Sequence, residues 1–99
     1  MIFLITVWYP GDKAKEVGKK FFSAAGKLPP FIKKWQAFGA TGGLDGIKAY
    51  HLIMTERGKG DEALFEINKV IAPFLEIKGY KIQIEPLMGM TDAAKLMQL

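Results

Sequence analysis

Two segments of the chain show opposite patterns of apolar and polar residues. Residues 2–9 are apolar on both faces of an extended strand apart from Thr6, whereas residues 80–86 alternate between apolar and polar. A strand that is apolar on both faces must be covered on both faces, and an alternating strand has one apolar face. The patterns therefore predict a central first strand at 2–9 and a half-covered last strand at 80–86.

Two other segments repeat apolar residues every three or four positions, which is typical of one face of an α-helix. The first follows Asp12, a residue that can cap a helix, and ends between Gly26 and the two prolines after Leu28. The second covers residues 61–75, and Pro73 lies in or bends its last turn. We expect Thr91 to cap a short C-terminal helix.

The remaining strands are predicted at 32–40 and 47–55, joined by a glycine-rich hairpin loop at 41–46. The order is therefore βαββαβ with a short helix at the end, in one domain spanning 1–99. With right-handed crossovers this order gives an α+β, ferredoxin-like sandwich. It would contain a four-stranded antiparallel sheet with both main helices on one face, and the first strand between the third and fourth.

Strand periodicity assigns residues to the two faces of this sheet. The helix-covered face is expected to take the more apolar set: Phe3, Ile5, Val7, Tyr80, Ile82 and Ile84. The open face would then take Leu4, Thr6, Trp8, Lys81, Gln83 and Glu85. A bulge reverses the assignment within a strand, so the middle strands are provisional. There we assign to the open face Gln36, Phe38, Ala49, His51 and Ile53.

The expected open face is too apolar for full solvation and too polar for a dry core. Such a surface suits the lining of a cavity shared between copies of the chain. We therefore expect a homodimer or higher homo-oligomer that binds a small, partly apolar ligand. The expected ligand-binding residues are Thr6, Trp8, Gln36, Phe38 and Glu85.

Composition limits the other functions. The 99 residues are 49% hydrophobic and 24% charged, with net charge +4 and no cysteine. Disulfides and thiolate metal sites are excluded, and one histidine cannot form a typical zinc or copper site without several carboxylates, so we expect no metal and no cofactor. No secretory signal and no apolar run of membrane-spanning length is present, which favours a cytoplasmic protein without a membrane partner.

The positive charge alone does not indicate nucleic-acid binding. Many lysines fall between Lys13 and Lys34, but they carry no interleaved aromatic residues and follow no single helical stripe. RNA-recognition modules share the predicted topology and display aromatic residues on the first and third strands. Residues 46–52 contain one aromatic residue at the wrong spacing, so we do not expect nucleic acid as a partner.

The chain resembles the dimeric α/β-barrel group, in which two ferredoxin-like sheets face each other across a two-fold axis. The resemblance covers nearly the whole length and is greatest to an uncharacterised family of roughly hundred-residue proteins. It rests on loose motifs: Met1 to Trp8, Lys34-Trp35-Gln36-Ala37, Glu85-Pro86 and Asp92-Ala93-Ala94. The group includes cofactor-independent monooxygenases, isomerases, haem-degrading enzymes and proteins without assigned chemistry. The resemblance implies a pocket and leaves the reaction open.

His51 is the candidate catalytic residue, because it is the only side chain with an ordinary pKa near neutrality. On the expected open face it would act as a general base beside Thr6, Gln36 and Glu85 in a monooxygenase or isomerase. A hydrogen-bonded structural histidine is the alternative. Haem degradation is not expected, since haem-degrading relatives carry a histidine on the second helix and residues 61–75 contain none. A third possibility is an assembly module without a ligand.

Overall fold

A computed structural model describes residues 1–24, 26–43 and 46–98. In this part of the chain the strands are β1 (Ile2–Tyr9), β2 (Ile32–Gly43), β3 (Gly46–Thr55) and β4 (Lys81–Leu87), and the α-helices are α1 (Ala14–Ala24), α2 (Gly60–Ile71) and α3 (Met90–Leu96). Short 3₁₀ segments precede α1 at Gly11–Lys13 and follow α2 at Ala72–Glu76.

The strands form one antiparallel sheet in the order β2-β3-β1-β4. The α+β architecture and the position of β1 between β3 and β4 are confirmed. The physical cause is the apolar character of β1, since a strand paired on both sides buries more side-chain area than an edge strand. None of the helices in the described part of the chain combines the length and hydrophobicity needed to cross a membrane.

The core lies between the sheet and α2. Its buried residues alternate along β1 and follow one stripe of α2: Phe3, Ile5, Val7, Ile53, Ala63, Ile67 and Ile71. Tyr80, Ile82 and Ile84 of the β4 region pack against this cluster, so the helix-covered face predicted from β1 and β4 is confirmed. In α1, by contrast, Val17 alone is buried. Because α1 packs less deeply than α2, space remains beneath it.

The helix ends differ in detail from the expectations. Asp12 lies within the 3₁₀ turn rather than capping α1, and Pro10 precedes that turn without a side-chain cap. Thr91 lies in the first turn of α3, because Gly89 holds the cap position and its carbonyl accepts the Ala93 amide at 3.0 Å. In the first predicted helix α1 ends at Ala24, and Ala25 lies outside the described residues. As expected, Pro73 marks the change from α2 to the 3₁₀ segment.

The hairpin between β2 and β3 is closed by a pair of glycines. Gly43 pairs with Gly46, while Leu44 and Asp45 of the predicted loop lie outside the described residues. Gly46 has φ of +103°, and a Cβ there would lie 2.6 Å from the Tyr9 carbonyl oxygen, so only glycine fits.

The provisional assignment of β3 was wrong. Continued along the strands, the Gly43–Gly46 pairing would place Phe38 opposite His51, but a register shift between Ala40 and Gly43 places Phe38 opposite Tyr50 instead. Ala49, His51 and Ile53 lie on the helix-covered face because they pair with core residues of β1, and the shift places Gln36 and Phe38 on the open face as expected. Both sets of alternate residues on β3 contain large apolar side chains, so hydropathy could not reveal the shift.

The burial of Ile67 predicts how much the packing of α2 contributes to the free energy of unfolding. Ile67→Ala removes a fully buried side chain from the core and should lower the free energy of unfolding by about 2–5 kcal/mol. Leu64→Ala, on the same helix but 37% exposed, is the matched control and should cost about 1 kcal/mol or less. Urea denaturation measures both, and equal losses would contradict the described packing.

Candidate functional site

The structure separates the predicted site residues between the two faces of the sheet. Thr6 lies between Tyr50 and Gln83, and Trp8 lies between Lys48 and Lys81. Glu85 pairs with Leu4, and Gln36 and Phe38 occupy the same face on β2. The five predicted ligand-binding residues therefore share the open face. His51 does not join them, because its partner on β1 is Ile5, whose side chain is in the core.

The open face has a basic and aromatic centre that periodicity on β3 did not reveal. The Lys48 ammonium lies 5.6 Å from the Trp8 ring centroid and 5.2 Å from that of Tyr50. These distances are within the range of cation–π attraction. Assigning the even-numbered residues of β3 to the open face would have identified Lys48 and Tyr50 from the sequence.

Apolar residues surround this centre and remain partly exposed to solvent. Phe38 is 54% exposed, Leu87 38% and Met54 37%. Both clusters of buried residues lie on the other side of the sheet. The open face therefore keeps a mixed surface, with lysines among large apolar side chains.

A cavity of about 240 Å³ lies between α1 and the helix-covered face of the sheet. We call it the His51 cavity. Residues from α1, α2 and three strands line it: Ile5, Val7, Tyr9, Ala14, Val17, Gly18, Phe21, Phe22, Trp35, Ala37, Phe38, Gly39, Ala49, His51, Val70, Ile71 and Phe74. Only three of these side chains carry a polar atom, those of Tyr9, Trp35 and His51. The cavity is therefore apolar, with a few placed polar groups, as small-molecule sites usually are.

The imidazole of His51 is held in one tautomer by Trp35. The Trp35 indole Nε1–H donates to His51 Nδ1 at 2.9 Å. Because an indole nitrogen only donates, Nδ1 must carry its lone pair, and the proton of the neutral ring sits on Nε2. Protonating Nδ1 would set two N–H groups against each other. His51 is therefore a neutral ring whose remaining polar group is a donor.

The Nε2–H group of His51, a residue of the cavity wall, is not fully buried. Nε2 has no hydrogen-bond partner among the described residues, and no buried side-chain polar atom in that part of the chain lacks one. Nε2 is therefore accessible rather than sealed in the core. Burial lowers the pKa of His51 below its ordinary value of 6.5. At neutral pH the cavity thus presents an uncharged N–H donor.

Aromatic rings hold this imidazole from two sides. The Phe21 ring centroid lies 5.3 Å from that of His51 and 6.5 Å from that of Trp35.

A second aromatic pair includes another residue of the cavity wall. Tyr9 stacks on Tyr80 with centroids 6.1 Å apart. Burial and the neighbouring Tyr9 phenol raise the pKa of Tyr80 to about 12, and burial also raises the pKa of Tyr9. Both phenols therefore stay protonated at neutral pH.

A recess of about 270 Å³ adjoins the His51 cavity and shares Phe21, Trp35 and Val70 with it. Its other lining residues are Ala24, Gly26 and Leu28. The two spaces together fall in the size range of small-molecule pockets, roughly 300–1,000 Å³. No cluster of three or more histidine, cysteine or acidic residues suited to a metal ion occurs among residues 1–24, 26–43 and 46–98.

Comparison with known proteins gives remote structural likenesses. Scanning protein-family models gives no match, and searching curated proteins also gives none. Among solved structures, a DUF3240 family protein from Shewanella baltica matches over 89% of this chain and 91% of its own, at 12% identity and a TM-score of 0.41. A protein from Thermus thermophilus, described as PII-like and signalling, matches over 85% of this chain and 83% of its own, at 12% identity and a TM-score of 0.44.

These likenesses are too remote to assign a family or to carry function. The function must therefore be inferred from the chain's own residues.

The Trp35–His51 bond makes a prediction for titration. The pKa of His51, the only histidine, should lie below 6.5. Trp35→Phe removes the donor to Nδ1 and should raise that pKa, because protonation no longer opposes an N–H group. Trp8→Phe, on the open face, is the control and should leave it unchanged. Nuclear magnetic resonance of the single imidazole Hε1 measures all three proteins.

The lowered pKa of His51 also determines how the free energy of unfolding changes with pH. Because the folded pKa is below the unfolded value, the unfolded chain binds the proton more readily, and the contribution of His51 is lost as pH falls below about 6.5. A His51 pKa that is normal in the wild type and unmoved in Trp35→Phe would contradict the described tautomer.

Proposed function

We propose that this protein binds a small, largely apolar molecule with a hydrogen-bond acceptor in its apolar part, and that the His51 cavity is its site. The observation that carries the proposal is the accessible Nε2–H of a tautomer-locked imidazole on the wall of an apolar cavity. An apolar wall with a placed donor orients a ligand carbonyl, ether or carboxylate and favours such a ligand over molecules without an acceptor.

The looseness of α1 supports binding at this place. In the core, Ile67 of α2 leaves no exposed surface, whereas α1 buries Val17 alone and leaves Phe22 77% exposed. A ligand between α1 and the sheet would cover apolar surface of Phe21 and Ala49 that the folded chain leaves partly exposed. Each Å² of apolar surface removed from water contributes roughly 25 cal/mol.

The tautomer favours a binding role over the catalytic alternative. A general base needs a free lone pair, but the lone pair on Nδ1 accepts from Trp35 and Nε2 carries the proton. The groups expected to assist His51 in a monooxygenase or isomerase, Thr6, Gln36 and Glu85, lie across the sheet. Catalysis by His51 would therefore require the Trp35 bond to break first.

Trp35 can report binding, because the other tryptophan lies on the opposite face of the sheet. In the Trp8→Phe protein, 2-nonanone should change the Trp35 fluorescence in a saturable way. Ala49→Phe, which fills the cavity, should abolish the change, and Ala94→Phe on α3 is the matched control. His51→Phe keeps the ring but loses the donor, so it should weaken binding by about threefold to tenfold, given a hydrogen bond of roughly 0.5–1.5 kcal/mol.

Two outcomes would change the proposal. Equal binding by the Ala49→Phe protein would show that the molecule lies elsewhere and would overturn it. Chemical turnover of a bound molecule that is lost in His51→Ala while binding persists would favour the catalytic alternative. Circular dichroism of each variant checks that the fold is intact.

We also propose that the open face of the sheet packs against a second copy of the chain. The chain exposes 6907 Å², whereas a compact monomer of 11.0 kDa is expected to expose roughly 5,600 Å². The difference exceeds the roughly 800 Å² that each partner buries in a standard interface. The radius of gyration, 14.9 Å, likewise exceeds the roughly 13 Å typical of this length.

The composition of the open face supports self-association. Large apolar side chains occupy positions that a solvated sheet face would fill with polar residues: Ile2, Leu4, Trp8, Phe38, Tyr50, Leu52, Met54 and Leu87. Face-to-face packing of two such sheets would cover these residues and enclose Thr6, Gln36 and Glu85 between them. In that assembly the expected ligand-binding residues of the open face would line a shared space.

Sedimentation velocity and native mass spectrometry test the assembly. The wild type should be a dimer or larger at micromolar concentration, and Leu52→Glu on the open face should make it monomeric, because it would bury a charge in the interface. Phe65→Glu is the matched control on the outer side of α2, where Phe65 is 65% exposed, and should leave the assembly unchanged. A wild type that stays monomeric would overturn this proposal and leave ligand binding standing.

A further inference from the structure

A basic groove lies between α1 and the C-terminal part of α2, next to the recess that Trp35 lines. Its volume is about 530 Å³, and its lining residues are Lys19, Lys20, Ser23, Ala24, Lys27, Leu28, Glu66, Lys69, Val70, Pro73 and Phe74. Four lysines and one carboxylate border it. The floor is apolar, so the groove combines a positive rim with a surface that excludes water.

The charges on this rim are largely free to meet an anion. Glu66, the acidic lining residue, lies 3.6 Å from Lys69 on the next turn of α2. Lys69 also lies 5.7 Å from the Phe65 ring centroid. Lys19, Lys20 and Lys27 have no salt bridge among the described residues. Three cations on the α1 side therefore lack a described counter-charge.

The groove, the recess and the His51 cavity have lining residues in common. Ala24, Leu28 and Val70 line both the groove and the recess, and Phe21, Trp35 and Val70 line both the recess and the cavity. Val70 borders all three. The three spaces therefore adjoin one another, with lysines around the groove and His51 on the wall of the cavity.

We propose that the ligand is a single-chain amphiphile with an anionic head and a hydrogen-bond acceptor along its chain, such as a keto fatty acid, whose head lies among the groove lysines and whose tail enters the recess and the His51 cavity. This inference rests on the proposed function, since it names the class of ligand for the same cavity. The two parts of such a ligand match two parts of the groove. The lysines at the rim attract a carboxylate or phosphate head, and the floor of Val70 and Phe74 suits a hydrocarbon chain.

The arrangement also explains why the ligand would be anionic rather than neutral. A neutral chain would gain only the apolar burial, whereas an anionic head adds attraction to Lys20, which is half-buried beside the apolar floor. Ions paired at partly covered sites gain more than ions paired in open water, because the local dielectric is lower. An acceptor placed along the chain would reach the Nε2–H of His51.

Decanoate and decanol, used below their aggregation concentrations, separate the head from the tail. Both should change the Trp35 fluorescence of the Trp8→Phe protein, and both changes should be lost in Ala49→Phe. The double variant K20Q/K27Q should weaken decanoate binding by about threefold to tenfold and decanol binding by less than twofold. Raising the salt concentration should weaken decanoate binding alone.

The control is K34Q/K81Q, which removes the same charge from the open face and should leave both affinities unchanged. If both compounds bind but K20Q/K27Q changes neither, the cavity binds apolar ligands and the anionic head is wrong. If neither binds and 2-nonanone also fails, the proposed function is wrong as well. A response to phosphatidylglycerol vesicles without a response to decanoate would assign the groove to a membrane surface and overturn the inference.

Discussion

Packing of β1 against α2 is the interaction on which the rest of the structure depends. Ile5 and Val7 on the strand meet Ile67 and Ile71 on the helix, and Ile53 of β3 closes the same cluster. Burial of each such side chain contributes about 1.5–3 kcal/mol. On either side of this strand, β3 and β4 pair with β1 in antiparallel register. The remaining helix, α1, then lies over the part of the sheet that α2 leaves uncovered.

This difference in packing depth between the two helices leaves the space of the candidate site. α2 is packed to full burial at Ala63 and Ile67, whereas α1 contacts the sheet through few deep residues and leaves the His51 cavity beneath it. Loose packing is costly in a domain of this size, since about a third of the surface of its unfolded chain stays exposed after folding. A ligand in the cavity would recover part of that cost. Stability and binding would therefore be linked through the same apolar surface.

The Trp35–His51 pair shows how one hydrogen bond determines chemical character. In water an imidazole exchanges between two tautomers and a cation, but an indole N–H at 2.9 Å from Nδ1 leaves one neutral form with its proton on Nε2. A residue chosen as a base because of its ordinary pKa thus becomes a donor. The lysines of the helix groove add a cationic rim to an apolar space that adjoins the His51 cavity.

Local patterns determined most of the architecture. The two-sided apolar character of 2–9 placed β1 at the centre, the alternation at 80–86 assigned the faces of β4, and helical spacing located α1 and α2. These signals suffice because each reports a burial requirement that neighbouring residues share. The positions of Thr6, Trp8, Gln36, Phe38 and Glu85 on the open face could be predicted for the same reason.

Tertiary structure decided the site. Pairing with Ile5 of β1 puts His51 on the helix side, where Trp35 and Phe21 contact it, and the register shift between Ala40 and Gly43 puts Gln36 and Phe38 on the opposite face. No hydropathy pattern records that shift, because β3 is apolar on both faces and a one-residue slip exchanges the two. The cavity and the lysine groove are likewise gaps between helices, and their existence depends on how deeply α1 packs rather than on any segment alone.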